Sequence, residues 1–226
     1  MNIYSDELSH KYSELRENYT ATDEKTFSIL NNIGVRDKRI LDFGCGDGRY
    51  SFQIAKLGAS EVIGIDISPV MIEIASRELQ NHKIEKVKFL EANGNNLPFE
   101  DNSFDIVFSN FVLHHFENTL KPLQEISRAL KKGGNFLATF NTYTLAVGKE
   151  SLFNTEIPMR LGKNENSVLV HVFVKPEQEL HKNLEVVGLK EVSYEKVDNP
   201  DAVIDPSYPQ IKSVEKFTII CLAEKI

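Results

Sequence analysis

The stretch ILDFGCGDGRYS, Ile40 to Ser51, places Gly44, Gly46 and Gly48 within five positions, between an apolar run and a helix-like run. A strand that hands over to a helix through so bare a turn is the opening of an α/β unit, and the rest of the chain repeats the alternation. RILDF, EVIGID, KVKFLEA, FDIVFSNF and NFLATF read as strands, and Arg49 to Leu57 and SPVMIEIASREL as intervening helices. Ser68 is placed to cap the second of these and Pro69 to fill its first position, where a missing N–H costs nothing. Leu120, Leu123, Ser127 and Leu130 mark a further helical stripe, and a late helix opens at Pro176. LKEVSYEKV and KFTIICLAEK close the count at seven strands, and two late strands joined without a helix predict an antiparallel edge strand on a mostly parallel sheet with helices on both faces.

Two flanking regions stand apart. Tyr4, Leu8, Tyr12, Leu15 and Tyr19 recur at helical spacing, and a second helix is expected from about Asp23 to Ile33, stopped by Gly34. Residues 1–35 therefore read as N-terminal helices set before a domain of residues 36–226. Residues 141–170 carry Pro158 and no strong period, so an irregular cap segment is expected there.

Composition narrows the partners. With 26 Lys and Arg against 33 Asp and Glu, the formal charge is −7, the wrong sign for a surface that neutralises many phosphates, so no nucleic-acid partner is expected. No apolar run approaches the ~18 residues of a membrane span, and MNIYSDELSHKYSEL has no signal-peptide design, so a cytoplasmic protein is expected. Cys45 and Cys221 stand far apart without ligand-like neighbours, which predicts buried thiols and no metal site.

Ligands of open α/β sheets bind beyond the carboxyl ends of the strands, where Gly44, Gly46 and Gly48 fall. A dinucleotide fingerprint needs its third glycine three positions after the second. Here the gap is two, and Asp47 puts a carboxylate where a diphosphate would seek the positive end of a helix. A cationic ligand without phosphate suits the turn better. Asp66, ending the second strand 22 positions beyond Gly44, is placed to accept hydrogen bonds from a ribose diol.

These stretches, with LPFEDNSFDIVFSNFVLHH (97–115) and LKKGGNFL (130–137), together resemble the class I S-adenosylmethionine-dependent methyltransferases, in the broad small-molecule subgroup that includes quinone-biosynthesis enzymes. The resemblance implies a Rossmann-like sheet, S-adenosyl-L-methionine as methyl donor and a small-molecule acceptor. It implies that Asp42 orients the donor's amino group, that Gly44 gives backbone contact at the methionine end, that Gly46 also belongs to the donor site, and that Asp66 holds the ribose. Ile67 and Met71 would pack on the adenine, Asn93 and Gly94 would meet its edge, and Ser109 and Asn110 would stand at the mouth of the site. Many relatives carry Asp where Asn93 stands, but an amide oxygen still accepts a hydrogen bond.

Methyl transfer from a sulfonium is an in-line displacement in which positioning does most of the work. A base is needed only where the acceptor must lose a proton. His115 and His114, just past the fourth strand, are the candidates, with His115 ahead, against ordinary packing of both rings. Tyr12 and Arg16 would close over the donor if the first helix is a lid, against simple burial of its apolar face. Variable loops at 141–170 and 198–213 are where acceptor choice should lie. Two rival functions stay open: a catalytically silent S-adenosylmethionine-binding partner subunit, and a nicotinamide-dependent oxidoreductase, which the glycine spacing disfavours. Oligomeric state and acceptor atom are not legible.

Overall fold

The structure, a computed structural model, describes residues 9–10, 21–82, 84–144, 156–161, 168–173, 176–198, 203–204 and 215–226. Its elements in chain order are α1 (Ala21–Ile33), β1 (Arg39–Phe43), α2 (Arg49–Lys56), β2 (Glu61–Asp66), α3 (Pro69–His82), β3 (Val87–Glu91), β4 (Phe104–Asn110) and a 3-10 turn at Leu113–His115. There follow α4 (Leu120–Ala129), β5 (Leu130–Thr144), β6 (Glu156–Leu161), β7 (Val168–Phe173), α5 (Glu177–Val186), β8 (Leu189–Asp198), β9 (Val203–Ile204) and β10 (Glu215–Lys225).

Seven strands form one sheet in the order β3-β2-β1-β4-β5-β10-β8. The pairs from β3 through β5 are all parallel. Strand alternation splits the apolar residues between two cores, because successive side chains point to opposite faces. Leu41, Ile63, Val107, Phe136 and Ile219 pack on one side with Leu123 and Ile126 of α4 and Leu180 and Leu184 of α5. Ile40, Val62, Ile106, Leu137 and Ile220 pack on the other, against Leu30 of α1 and Phe52 and Ile54 of α2. Helices on both faces therefore follow from the central strands β1, β2 and β4, which are buried on both sides.

The antiparallel pairing expected at this end of the sheet is present, with one refinement. The antiparallel strand, β10, is not outermost. It is inserted between β5 and β8 and is antiparallel to both, from Asn135↔Glu224 to Thr144↔Glu215 on one side and from Leu189↔Lys225 to Asp198↔Phe217 on the other. FTIICLA is therefore covered within the chain by β8.

The expectation of an irregular segment at 141–170 is corrected. β5 runs on to Thr144, and β6 and β7 pair antiparallel across Glu156↔Phe173 to Leu161↔Val168. β9, from the later Pro-rich loop, joins β6 at Met159 and Arg160 to make a second, three-stranded sheet. Pro158 falls within β6, opposite His171 of β7 and just before the two residues that pair with β9.

Candidate active site

Between the carboxyl ends of β1 and β4 the winding of the sheet reverses, which is where an open α/β fold forms a crevice. A cavity of ≈ 490 Å³ occupies that place. Asp42, Gly44, Gly46, Asp66, Ile67, Met71, Asn93, Gly94 and His115, all singled out from the sequence, line it. Among the described residues, Ser109 and His114 do not belong to that set.

The glycine turn is bare for two different reasons. Gly44 has φ +76°, and a Cβ there would stand 2.3 Å from Val112 Cγ2, so its space is filled by a neighbouring side chain. Gly46 has φ +54° and nothing within 4 Å of where a Cβ would be. Gly44 and Gly46 both line the cavity, but only at Gly46 is the place of a Cβ open. The turn is tied down by Gly44 N–H and Cys45 N–H, which both donate to the Ile65 carbonyl at 2.8 Å.

Gly46 N–H also donates to Asp66 Oδ2 at 2.9 Å, while Ser68 N–H donates to Asp66 Oδ1 at 2.9 Å. Each carboxylate oxygen is thereby fixed by a backbone donor, with the Ile67 N–H adding a further interaction, which leaves acceptor capacity on the group. Burial pushes the Asp66 carboxyl above its usual range, opposed by the backbone donors of Ser68 and Gly46. Asp42 is buried more deeply. Its Oδ2 accepts from Ser51 Oγ at 2.5 Å, and burial pushes its carboxyl up to about 7, with Ser51 pulling down and the nearby Asp66 and Asp47 charges pushing further up. A cationic group entering the cavity would relieve all three carboxylates at once. Burial first, and then the same acidic surroundings, keep the Cys45 thiol neutral.

At the far side of β2, Ile67 is 38% exposed and Met71 is 3% exposed. Asn93 Oδ1 already accepts Asn95 N–H at 2.9 Å, an Asx turn that leaves one lone pair. Gly94 is required by packing, since a Cβ would stand 2.3 Å from Phe43 Cζ.

The two histidines are separated by the 3-10 turn. His115 lines the cavity. His114 is buried, its Nδ1 accepting Asn141 N–H at 3.4 Å, so of the two proposed bases only His115 reaches the site. Ser109 is corrected for a similar reason. On β4 it points opposite to Asn110 and is fully buried, its Oγ without a partner among the described residues, while Asn110 lines the cavity.

Tyr12 and Arg16 lie outside the described residues. Nearby, Ser9 is buried and its Oγ lies 3.2 Å from Ser68 Oγ, just beyond Asp66. Among wall residues that sequence reasoning did not place, Phe111, Phe116 and Glu117 follow β4 and Phe173 comes from β7 of the small sheet. Proximity to the LHH turn was a signal for the first three. Phe173 arrives through pairings that no local pattern records. No group of three His, Cys, Asp or Glu among the described residues is placed to hold a metal.

A family model described as a methyltransferase domain matches residues 35–168, more than half of the chain. This chain belongs to that family. The chain is 35% identical over 123 residues to the uncharacterized methyltransferase YcgJ of Bacillus subtilis, covering 51% of this chain and 48% of the relative. It is 37% identical over 130 residues to a demethylmenaquinone methyltransferase of Lactococcus lactis, covering 55% and 51%. The matches span about half the length of these relatives. Among solved structures, the cyclase SpnF superposes with a TM-score of 0.72 at 18% identity, covering 93% of this chain and 83% of that one. The fold is that of the class I methyltransferases.

Proposed function

We propose that this chain transfers a methyl group from S-adenosyl-L-methionine to a small-molecule acceptor. The observation that carries the proposal is Asp66. In a methyltransferase-domain chain, its carboxylate is held by two backbone donors at the end of β2, on a cavity that also exposes the backbone of Gly46. The fold alone does not carry it, because the same architecture is found in SpnF, which is named a cyclase.

The residues present fit the donor. Asp66 has lone pairs left for a ribose diol, Asn93 has one for an adenine amino group, and Ile67 and Met71 supply apolar surface between them. Asp42, Asp47 and Asp66 give the cavity a negative potential that suits an ammonium and a sulfonium. The donor supplies an electrophilic methyl group with a neutral leaving group. The protein's own part is to align the acceptor, exclude water and, where the acceptor carries a proton, accept it at a ring nitrogen of His115. Tyr12 and Arg16 are proposed for the methionine end only as the family resemblance implies.

Calorimetric titration with S-adenosylmethionine, S-adenosylhomocysteine and NAD tests the donor assignment. Micromolar binding of the first two, abolished by Asp66→Ala and absent for NAD, is the expected result. NAD binding, or no nucleoside binding, overturns it. Labelled product after incubation with small-molecule extracts and methyl-labelled donor separates an active enzyme from a silent binding subunit.

A further inference from the structure

Asp42 is an acid where the sheet would ordinarily bury an apolar side chain. It is the last residue but one of the central strand β1, its neighbours across the two ladders are Gly64 and Phe108, and it is 2% exposed. Its one side-chain partner among the described residues is the Ser51 hydroxyl, which donates to Oδ2 at 2.5 Å. An ionised carboxylate so placed is costly, because a single neutral donor replaces only part of the hydration that burial removes.

The charges that bear on it are of its own sign. Asp66, at the end of β2, and Asp47, in the glycine turn, both oppose its ionisation. The other titratable or charged groups on the cavity wall are Cys45 in the same turn, Arg49 and Tyr50 of α2, and His115 and Glu117 beyond β4. Arg49 holds its guanidinium over the Tyr50 ring, 5.4 Å from the centroid. Burial first, and then the two carboxylates, keep a proton on Asp42 up to about pH 7 in the ligand-free chain.

A ligand that carries positive charge reverses this balance. S-adenosylmethionine brings an ammonium and a sulfonium, and a cation inside a crevice is weakly screened, so it favours the ionised form of the carboxyls around it.

Resting on the methyltransferase reading, we propose that binding of the donor expels the proton of Asp42, so that the site exchanges one positive charge for another and its loading with donor responds to pH. The O–H bond of the carboxyl breaks, its electron pair stays on the oxygen, and the proton leaves to solvent. Linkage sets the direction: affinity rises with pH while Asp42 is protonated in the free chain, and levels off once the free chain has lost that proton unaided.

The test is calorimetric titration of the full chain at pH 6 in phosphate and in Bis-Tris, whose ionisation enthalpies differ, so that the difference in heat counts the protons released. The ligands are S-adenosylhomocysteine, which keeps the ammonium, and 5′-methylthioadenosine, which lacks it. About one proton should leave per S-adenosylhomocysteine bound, with affinity rising roughly tenfold per pH unit around pH 6. 5′-Methylthioadenosine should release few or none. Asp42→Asn, whose amide oxygen still accepts from Ser51, should abolish most of the release. Ser51→Ala removes a donor that favours the ionised form, and should still release protons at pH 8, where the wild type releases almost none. No release by the wild type, or equal release with both ligands, overturns the proposal. So does full release by Asp42→Asn, which would assign the proton to Asp66 or His115. If Asp42→Asn binds too weakly to titrate, Ser51→Ala decides, and a release profile that has not moved along the pH axis overturns the proposal. Failure of the wild type to bind S-adenosylhomocysteine at any pH would instead remove the methyltransferase reading beneath it.

Discussion

One added methyl group meets opposite surroundings at positions 44 and 46. Gly44→Ala forces a left-handed φ on alanine and a contact with Val112, and should destabilise the protein by on the order of 3 kcal/mol in urea unfolding. Adding Val112→Ala should recover part of that loss, because the two positions share one space. Gly46→Ala meets nothing, so it should cost about 1–2 kcal/mol from backbone strain alone, yet weaken S-adenosylhomocysteine binding because its Cβ stands in the cavity. Asp42 carries a pH signature. Folding raises its carboxyl from the ordinary 3.8 to about 7, so between those values the folded chain keeps a proton that the unfolded chain has released. Stability should then fall as pH rises from about 4 toward 7 and level off above it. Unfolding at pH 5.5 and pH 8 checks this: Asp42→Asn should flatten the difference, leaving the smaller share due to Asp66, which is shifted the same way. Asp42, Asp66 and the glycines were legible from sequence because a strand, its turn and the next strand's end are local. Which of His114 and His115 faces inward was not, because a three-residue 3-10 turn shows no period to read, and the choice between Ser109 and Asn110 required the phase of β4.

At the scale of elements, Arg128 joins the β3–β4 connection to α4. Its guanidinium donates to both oxygens of Glu125, to Asp101 Oδ1 at 2.9 Å and to the carbonyls of Leu97 and Phe99, while Glu125 Oε2 accepts Leu97 N–H at 2.8 Å. Hydrogen bonds of this kind, with one charged partner, contribute more than neutral ones, and a fork of donors has no equivalent in lysine. Arg128→Ala should lower stability by roughly 2–3 kcal/mol and speed amide exchange at residues 97–101, with Arg128→Lys in between. The sequence showed the central strands of the main sheet well because β1, β2 and β4 are buried on both faces. It did not show β6, β7 and β9. Their pairing partners are distant in the chain, Pro158 argues against a strand, and only the meeting of three separate segments makes the small sheet favourable. The position of β10 was hidden for the same reason: two consecutive late strands identify an antiparallel pair but not where a third strand sits.

For the molecule as a whole, the formal charge of −7 and the three carboxylates at the cavity favour the approach of a cation. The association rate of S-adenosylmethionine, followed by stopped flow, should fall severalfold between about 10 and 300 mM salt as the Debye length shrinks from roughly 30 to 6 Å. The order of the strands carries one more consequence, for synthesis. β8 is made before β10, yet among the described strands β10 is its only neighbour in the sheet. The nascent chain therefore holds β8 without a pairing partner until β10 emerges and enters between it and β5, sealing both ladders in a single insertion. None of the residues lining the cavity comes from β8 or β10. The nucleoside end depends on strands that are all translated by Thr144, about 80 residues and several seconds ahead of the last strand at ordinary elongation rates. The strands that carry the nucleoside end of the cavity are thus complete in the chain before the strand that closes the sheet has been made.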